Sequence, residues 1–243
     1  MLLGIDLGGT KIEGIVLKSK ENPDEIIRHR INTEEEKGYS QVINNIKSLV
    51  NHIENKINYK FKRLGIGTPG TIDPETGLLK NSNSQCLNGK PIQKDLAKTL
   101  DKIIHIQNDA NCFALAETLL GSVKDQYPDA KNVFGIIIGT GVGGGVIIDG
   151  KTVYGSQGIG GEWGHTIVTD DGDECYCGKK GCVESVISGR ALQIYYNKIS
   201  GKKLKFEENN SNQDFSSFVK KERINEIVKR NAMSEDIPQV LSL

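Results

Sequence analysis

Leu2-Leu3-Gly4-Ile5-Asp6-Leu7-Gly8-Gly9-Thr10-Lys11-Ile12-Glu13-Gly14-Ile15-Val16-Leu17 is two short apolar runs joined by Gly8-Gly9-Thr10. It reads as a β-hairpin with a glycine turn. The pattern returns at Val133–Ile138 and Val142–Ile148, joined by Gly139-Thr140-Gly141. Two such hairpins suggest two similar lobes facing a cleft. The alternative is two unrelated hairpins, because glycine-rich turns are common. We place the lobes at residues 1–127 and 128–243, with Tyr127-Pro128-Asp129-Ala130 as the boundary loop. Many of the 28 glycines fall in clusters beside strands, which suggests backbone approaching phosphate rather than flexible linker.

Composition narrows the class. A chain of 243 residues can bury one good core or two small lobes. Lys+Arg and Asp+Glu balance at 31 each, so nothing argues for nucleic acid or an anionic membrane as partner. No apolar run approaches a membrane span, and the first residues do not read as a signal peptide. Five cysteines is an odd number; Cys86 and Cys112 read as free thiols, which fits a reducing cytoplasm.

Between the hairpins the pattern is α/β. Glu25–Ile31 reads as a third strand. Val42, Ile46, Leu49, Val50, Ile53 and Ile57 form a helical stripe within Tyr39–Ile57, read as core packing. Phe61–Gly67 reads as a strand and Pro91–Leu100 as a short helix with Pro near its first turn. Ile103–Gln107 is a strand running into Asn108-Asp109, and Ala110–Leu120 a helix. Asp109 therefore sits at the carboxyl end of a strand, where ligands gather in open α/β sheets. Helix N-capping is the other reading of the same aspartate. Beyond residue 182, Val186–Ile199 reads as one helix. Phe206–Phe215 is polar, Val219–Lys229 reads as a helix, and Asn231–Leu243 has no clear period.

The stretch from Glu162 to Glu184 carries the metal chemistry. His165, Cys175, Cys177 and Cys182 are a full Cys₃His set for a structural Zn²⁺. Gly178 and Gly181 let the chain turn tightly enough for the thiolates to converge. A closed four-ligand site leaves no open position for water, so the metal reads as scaffolding. Buried or disulfide-bonded cysteines beside an ordinary histidine are the alternative. A thiol redox role for Cys175 and Cys177 would leave His165 and the hairpins unused.

Glu162-x-Gly164-His165 followed by Cys175-x-Cys177-Gly178-x-x-Gly181-Cys182-x-Glu184 resembles the zinc signature of the ROK family of bacterial sugar kinases. Asp6-Leu7-Gly8-Gly9-Thr10-Lys11, Asn108-Asp109-Ala110-Asn111 and Gly139–Gly145 agree in order, so the resemblance runs from residue 2 to about residue 200. Lys80-Asn81-Ser82-Asn83-Ser84 and Leu87-Asn88-Gly89-Lys90-Pro91 look most like the fructokinase/mannokinase branch. The Gly139–Gly145 loop and Cys112-Phe113-Ala114-Leu115 also resemble the N-acetylglucosamine kinase branch.

The resemblance implies an α/β, two-lobe actin/hexokinase-like ATPase fold with a ribonuclease H-like motif. It implies ATP-dependent phosphorylation of a hexose, of fructokinase type, with Asp109 as general base. An N-acetylhexosamine kinase, a glucokinase and a non-catalytic sugar-binding protein are the rivals. Gly4 and Asp6 would lie at the nucleotide, with Asp6 holding Mg²⁺ through water. Backbone N–H groups of Gly8, Gly9 and Thr10, and of Gly139, Thr140, Gly141, Gly143 and Gly144, would grip the phosphates of ATP, with Val142 in the same loop; Lys11 would neutralise charge there, the alternative being a solvated lysine at the strand start. Asn83, Asn108, Asp109, Glu162, His165 and Glu184 would bind the sugar, His165 also reaching the zinc. A homodimer is expected on the same ground. Family repressors carry an N-terminal helix-turn-helix, for which the phosphate motif at residue 4 leaves no room. Family members continue past the point where this chain stops, so an incomplete second lobe is expected.

Overall fold

The computed structural model describes residues 1–201. The expectations at Phe206–Phe215, Val219–Lys229 and Asn231–Leu243 lie outside the described residues.

The chain opens with β1 (Leu2–Leu7) and β2 (Lys11–Leu17), antiparallel and with the expected bounds. Leu3, Ile5, Leu7, Ile12 and Val16 all turn to one face and are buried. β3 (Glu25–Asn32) pairs antiparallel with β2, and α1 (Tyr39–Ile57) follows. Then come β4 (Arg63–Thr68), the two-residue strands β5 (Thr71–Ile72) and β6 (Leu79–Lys80), α2 (Ile92–Leu100), β7 (Ile103–Asn108), α3 (Asp109–Leu119) and α4 (Ser122–Gln126). The second hairpin is β8 (Asn132–Ile138) and β9 (Val142–Ile148), with β10 (Lys151–Thr152) antiparallel to β9. α5 (Val183–Ile187) and α6 (Gly189–Ser200) close the described chain. Among the described residues no helix is long and apolar enough to cross a membrane.

Two compact units divide the chain. The first is Met1–Gly135 with Gly144–Gly161, so Tyr127–Ala130 lies inside it. Its sheet runs β3-β2-β1-β4-β7, with β1–β4 and β4–β7 parallel. The stripe read from α1 is the core: Val42, Ile46, Leu49, Val50 and Ile53 are buried in one cluster with Leu3, Ile5, Leu7, Ile12 and Val16. Each such side chain contributes about 1.5–3 kcal/mol when fully removed from water. The approach is close enough that a Cβ on Gly14 would stand 2.5 Å from Ile53 Cδ1. On α3, a Cβ at Gly135 would meet Ala114 Cβ at 2.6 Å, and one at Gly145 would meet Ala110 O at 2.8 Å. Both strands of the second hairpin are thus seated on α3 at their base, which is why that base groups with the first unit.

The second unit is Ile136–Gly143 with residues from Glu162 onward. Here one expectation fails. Val186–Ile199 is two helices, because Ser188 is extended (φ −64°, ψ 157°) and its hydroxyl accepts from Ala191 N–H at 3.1 Å, capping α6. Local capping chemistry wins over a helical apolar spacing that runs through the break.

One polar group ties the first unit's core. Glu54, 2% exposed, accepts from Phe61 N–H at 2.8 Å and pairs with Lys102 at 2.8 Å and Lys60 at 3.0 Å. Burial pushes its carboxyl up, but Lys102, the Phe61 N–H and Lys60 together hold it below the ordinary glutamate range. Glu54→Ala leaves Lys102 and a backbone donor buried without this acceptor. It is expected to lower the free energy of unfolding by about 3 kcal/mol, read as a lower urea midpoint at unchanged slope. Because the folded value is depressed, the wild-type contribution is present at neutral pH and lost as pH falls through that value. The variant should lack this acid-dependent loss.

Candidate functional site

In the first unit, chain geometry brings Asp6 and Asp109 together. Asp6 lies on β1 in register with Gly67 of β4, which is in register with Gln107 of β7, two residues before Asp109. Cys112 lies over this strip: a Cβ on Gly67 would stand 3.5 Å from its Sγ, in ordinary contact. Burial first, then the charges of Asp109 and Glu13, push the Asp6 carboxyl above its usual range; Arg30 opposes them. Glu13 is directly across from Asp6 on β2, and Arg30 directly across from Glu13 on β3. Glu13 is ion-paired with Arg28 at 2.5 Å and with Arg30. Burial, Asp109 and Asp6 raise the Cys112 thiol to about 11, so it is a neutral wall of this site at physiological pH.

The helix-cap reading of Asp109 is corrected. Asn108 is the cap: its Oδ1 accepts from Asn111 N–H at 3.2 Å while its Nδ2 donates to Gly70 O at 3.1 Å. Asp109 is the first helical residue, half-buried, with Oδ1 accepting from Ala110 N–H at 2.8 Å. The carboxylate is therefore held by the positive end of α3.

The glycine turn is braced from behind. Thr33, fully buried, donates its hydroxyl to Gly8 O at 2.7 Å, and its N–H donates to Thr10 O at 3.0 Å. Lys11 Nζ donates to Asn32 Oδ1. Gly4 sits beside Gly65 in the parallel β1–β4 pair. A cavity of about 610 Å³ is lined by Gly9, Thr10, Lys11, Glu35, Asn83 and Gln85 among others, a size suited to a small molecule. Asn83 is exposed on the loop between β6 and α2. Asn88 ties that loop, accepting from Ser82 N–H and donating to Ser82 O, both at 2.9 Å. Glu35 Oε2 is buried without a hydrogen-bond partner. It is a feature sequence reasoning passed over, since it sits in a run of three glutamates.

In the second unit the tip of the second hairpin is held by Glu184. Glu184 Oε2 accepts from Val142 N–H at 2.9 Å, and a Cβ on Gly141 would stand 2.5 Å from that oxygen. Gly139 O accepts from Gly189 N–H at 2.8 Å, and Trp163 Nε1 donates to Gly143 O at 2.9 Å. Trp163 thus has a packing and anchoring job. Glu162 precedes it directly. Thr140 lies at the turn, and Gly144 falls in the first unit.

His165, Cys175, Cys177 and Cys182 come together, with one donor atom of each within 4.8 Å of all the others. Cys175 Sγ is 3.4 Å from His165 Nδ1, and Cys177 Sγ 3.7 Å from Cys182 Sγ. Tetrahedral zinc, with bonds of about 2.3 Å to sulfur and 2.0–2.1 Å to nitrogen, has edges of about 3.6 Å (S···N) and 3.8 Å (S···S). The donor set fits zinc. All five cysteines are free of disulfides. Gly178 and Gly181 both have positive φ, and a Cβ at Gly181 would collide with Thr169 O at 1.7 Å. One residue here carried no signal beyond its place inside Cys-x-Cys: Tyr176, whose hydroxyl is 3.0 Å from His165 Nε2.

The ROK family model matches residues 2–234. N-acetyl-D-glucosamine kinase of Aliivibrio salmonicida is 37% identical over 206 residues, covering 81% of this chain and 66% of that one. N-acetyl-D-glucosamine kinase of Haemophilus influenzae is 35% identical, covering 86% and 69%. Among solved structures, the ROK hexokinase of Thermus thermophilus superposes with a TM-score of 0.72 at 30% identity, covering 85% and 66%. A ROK-family glucokinase of Streptomyces griseus in complex with glucose and AMPPNP gives 0.66 at 28%, covering 82% and 61%. The chain spans about two thirds of the length of the curated relatives it matches. The α/β actin/hexokinase-like ATPase fold expected from the sequence is the fold of this chain.

The raised Asp6 carboxyl gives a test. Ionised Asp6 costs stability at neutral pH. That cost is relieved as pH falls through the raised folded value towards the ordinary 3.8. Asp6→Asn, in metal-free buffer, is therefore expected to raise the melting temperature by about 1–2 °C at pH 7, a small gain because the residue is exposed to solvent. The gain should vanish under acid conditions, as followed by differential scanning fluorimetry.

Proposed function

This chain belongs to the ROK family, and we propose from that premise that it transfers a phosphoryl group from ATP to a sugar hydroxyl, with an N-acetylhexosamine as preferred acceptor. The observation that carries the kinase reading is the Asp6–Asp109 pair. Asp109 is held at a strand end by the N-terminus of α3, and Asp6 is close enough for the two to act on each other electrostatically. A half-buried carboxylate in that position can take the proton of a bound hydroxyl as its oxygen attacks phosphorus. Asp6 would hold Mg²⁺, which supplies charge neutralisation on the phosphates. The N–H groups of Gly8, Gly139 and Val142 already donate to Lys11 O, Gly141 O and Glu184, against their expected role, so Gly9 and Thr10 in the turn braced by Thr33, and Thr140 and Gly141 in the tip fixed by Glu184, would be the ones to offer backbone N–H groups to phosphate.

For the sugar, Asn83, Glu162, His165 and Glu184 supply exposed or half-exposed polar groups, and Asn108 shapes the strand end through its cap. The acceptor preference rests on the relatives. Their names favour N-acetyl-D-glucosamine over the fructose suggested by the loop from Lys80 to Pro91. His165, Cys175, Cys177 and Cys182 would hold one structural zinc, whose ligation of Nδ1 fixes the tautomer and leaves the other ring nitrogen protonated.

The test is ADP release by the chain with Mg²⁺ and Zn²⁺ present, using N-acetylglucosamine, N-acetylmannosamine, glucose, mannose and fructose. N-acetylglucosamine is expected to give the highest kcat/KM. Asp109→Asn should lower kcat by about 10²–10⁴-fold with little change in KM. A preference for fructose would overturn the acceptor assignment. Absence of sugar-dependent ADP from folded, zinc-loaded protein would overturn the kinase reading in favour of a non-catalytic sugar-binding one. Separately, metal analysis should find one zinc per chain, and Cys182→Ser should lose most of it.

A further inference from the structure

His165 has two ring nitrogens with different neighbours. Nδ1 faces the thiol cluster, 3.4 Å from Cys175 Sγ. Nε2 faces away from it and lies 3.0 Å from the hydroxyl of Tyr176. The two rings meet edge to face, with centroids 5.1 Å apart at 90°. A histidine whose Nδ1 lone pair points into a metal-binding cluster carries its proton on Nε2. Nε2–H therefore donates to the Tyr176 oxygen. One N–H makes one good hydrogen bond, so a ligand oxygen that reaches for Nε2–H must replace the phenol.

Tyr176 is built to be replaced. It is 74% exposed, so packing does not lock its ring. Its hydroxyl is thus bound to His165, one of the three side chains of the second unit that the sugar-site reading assigns to sugar hydroxyls. We infer that Tyr176 is a specificity-determining residue of the sugar site: its hydroxyl occupies the place on His165 Nε2–H that a sugar hydroxyl takes, and substrate must displace it. This inference rests on the sugar-site reading. A sugar that presents an oxygen at that place restores the hydrogen bond it breaks. One that does not leaves His165 or Tyr176 unsatisfied and is rejected.

The experiment compares zinc-loaded wild type with Tyr176→Phe, which keeps the ring and removes the competing oxygen. Both are titrated calorimetrically with N-acetyl-D-glucosamine, glucose and fructose, and their zinc content is measured by chelator release. Tyr176→Phe is expected to bind the preferred sugar about two- to tenfold more tightly, the worth of one neutral hydrogen bond, with zinc content unchanged. Equal or weaker binding with zinc retained overturns the inference, because the phenol then does not compete. Loss of zinc overturns it too, assigning Tyr176 to holding the ligand histidine. If wild type binds none of the three sugars, the sugar-site reading itself fails, and the inference falls with it.

Discussion

Two carboxylates held near each other against their mutual repulsion set the terms for this chain. Parallel pairing of β1 with β4 and of β4 with β7 aligns the strand ends, and that alignment sets Asp6 close to Asp109. The fold tolerates the pair in two ways. Asp109 is stabilised by its own helix, through the Ala110 N–H. Asp6 takes the strain, its carboxyl pushed up by burial and by its neighbours, with Arg30 as partial relief. A like-charge pair kept by such positioning is what a cation-dependent site needs and what a purely structural sheet would avoid.

Close backbone approach is the second constraint, and it explains where the glycines matter. Gly14 lets α1 settle on the sheet, and Gly135 and Gly145 let α3 receive the base of the second hairpin. Gly141 lets Glu184 reach the Val142 N–H. In each case a Cβ would stand under 3.0 Å from another heavy atom. The glycines at these four positions thus serve packing, and phosphate binding is not needed to account for them.

What the sequence revealed follows from how far each signal reaches. The first hairpin and α1 were legible to the residue, because an apolar pattern and a glycine turn are decided locally. The convergence of His165, Cys175, Cys177 and Cys182 was legible because residue identity and spacing are chemical rather than conformational. The break at Ser188 was hidden, since apolar residues continue across it at helical spacing and one hydroxyl decides the outcome. That Asn108 rather than Asp109 caps α3 was not legible, because both residue types cap well and the structure alone shows Asn108 accepting from Asn111 N–H. β5, β6 and β10 are two residues each, too short for any period. Glu35 and Tyr176 became visible only as an unpartnered oxygen and an occupied histidine nitrogen. Among the sugars proposed as acceptors the choice would turn on the space around one ring carbon, which no spacing of residues encodes.

The segment that carries Glu162, His165 and Glu184 has little core of its own. Cys175, Cys182 and Val183 are buried, while Ile167, Val168 and Tyr176 are exposed. Its backbone is held by isolated bridges, Ile167 to Cys182 and Glu174 to Lys180, rather than by a sheet. Such a segment cannot fix three side chains by hydrophobic burial alone, so some other free energy must do so. Four converging donors offer it, since ligation to a site absent from the unfolded chain becomes folding free energy. The same residue, His165, then links that scaffold to whatever meets its Nε2. In the proposed reading metal and sugar would be coupled through one imidazole: a metal on Nδ1 would set which nitrogen keeps the proton, and that proton would decide what the ligand must offer in return.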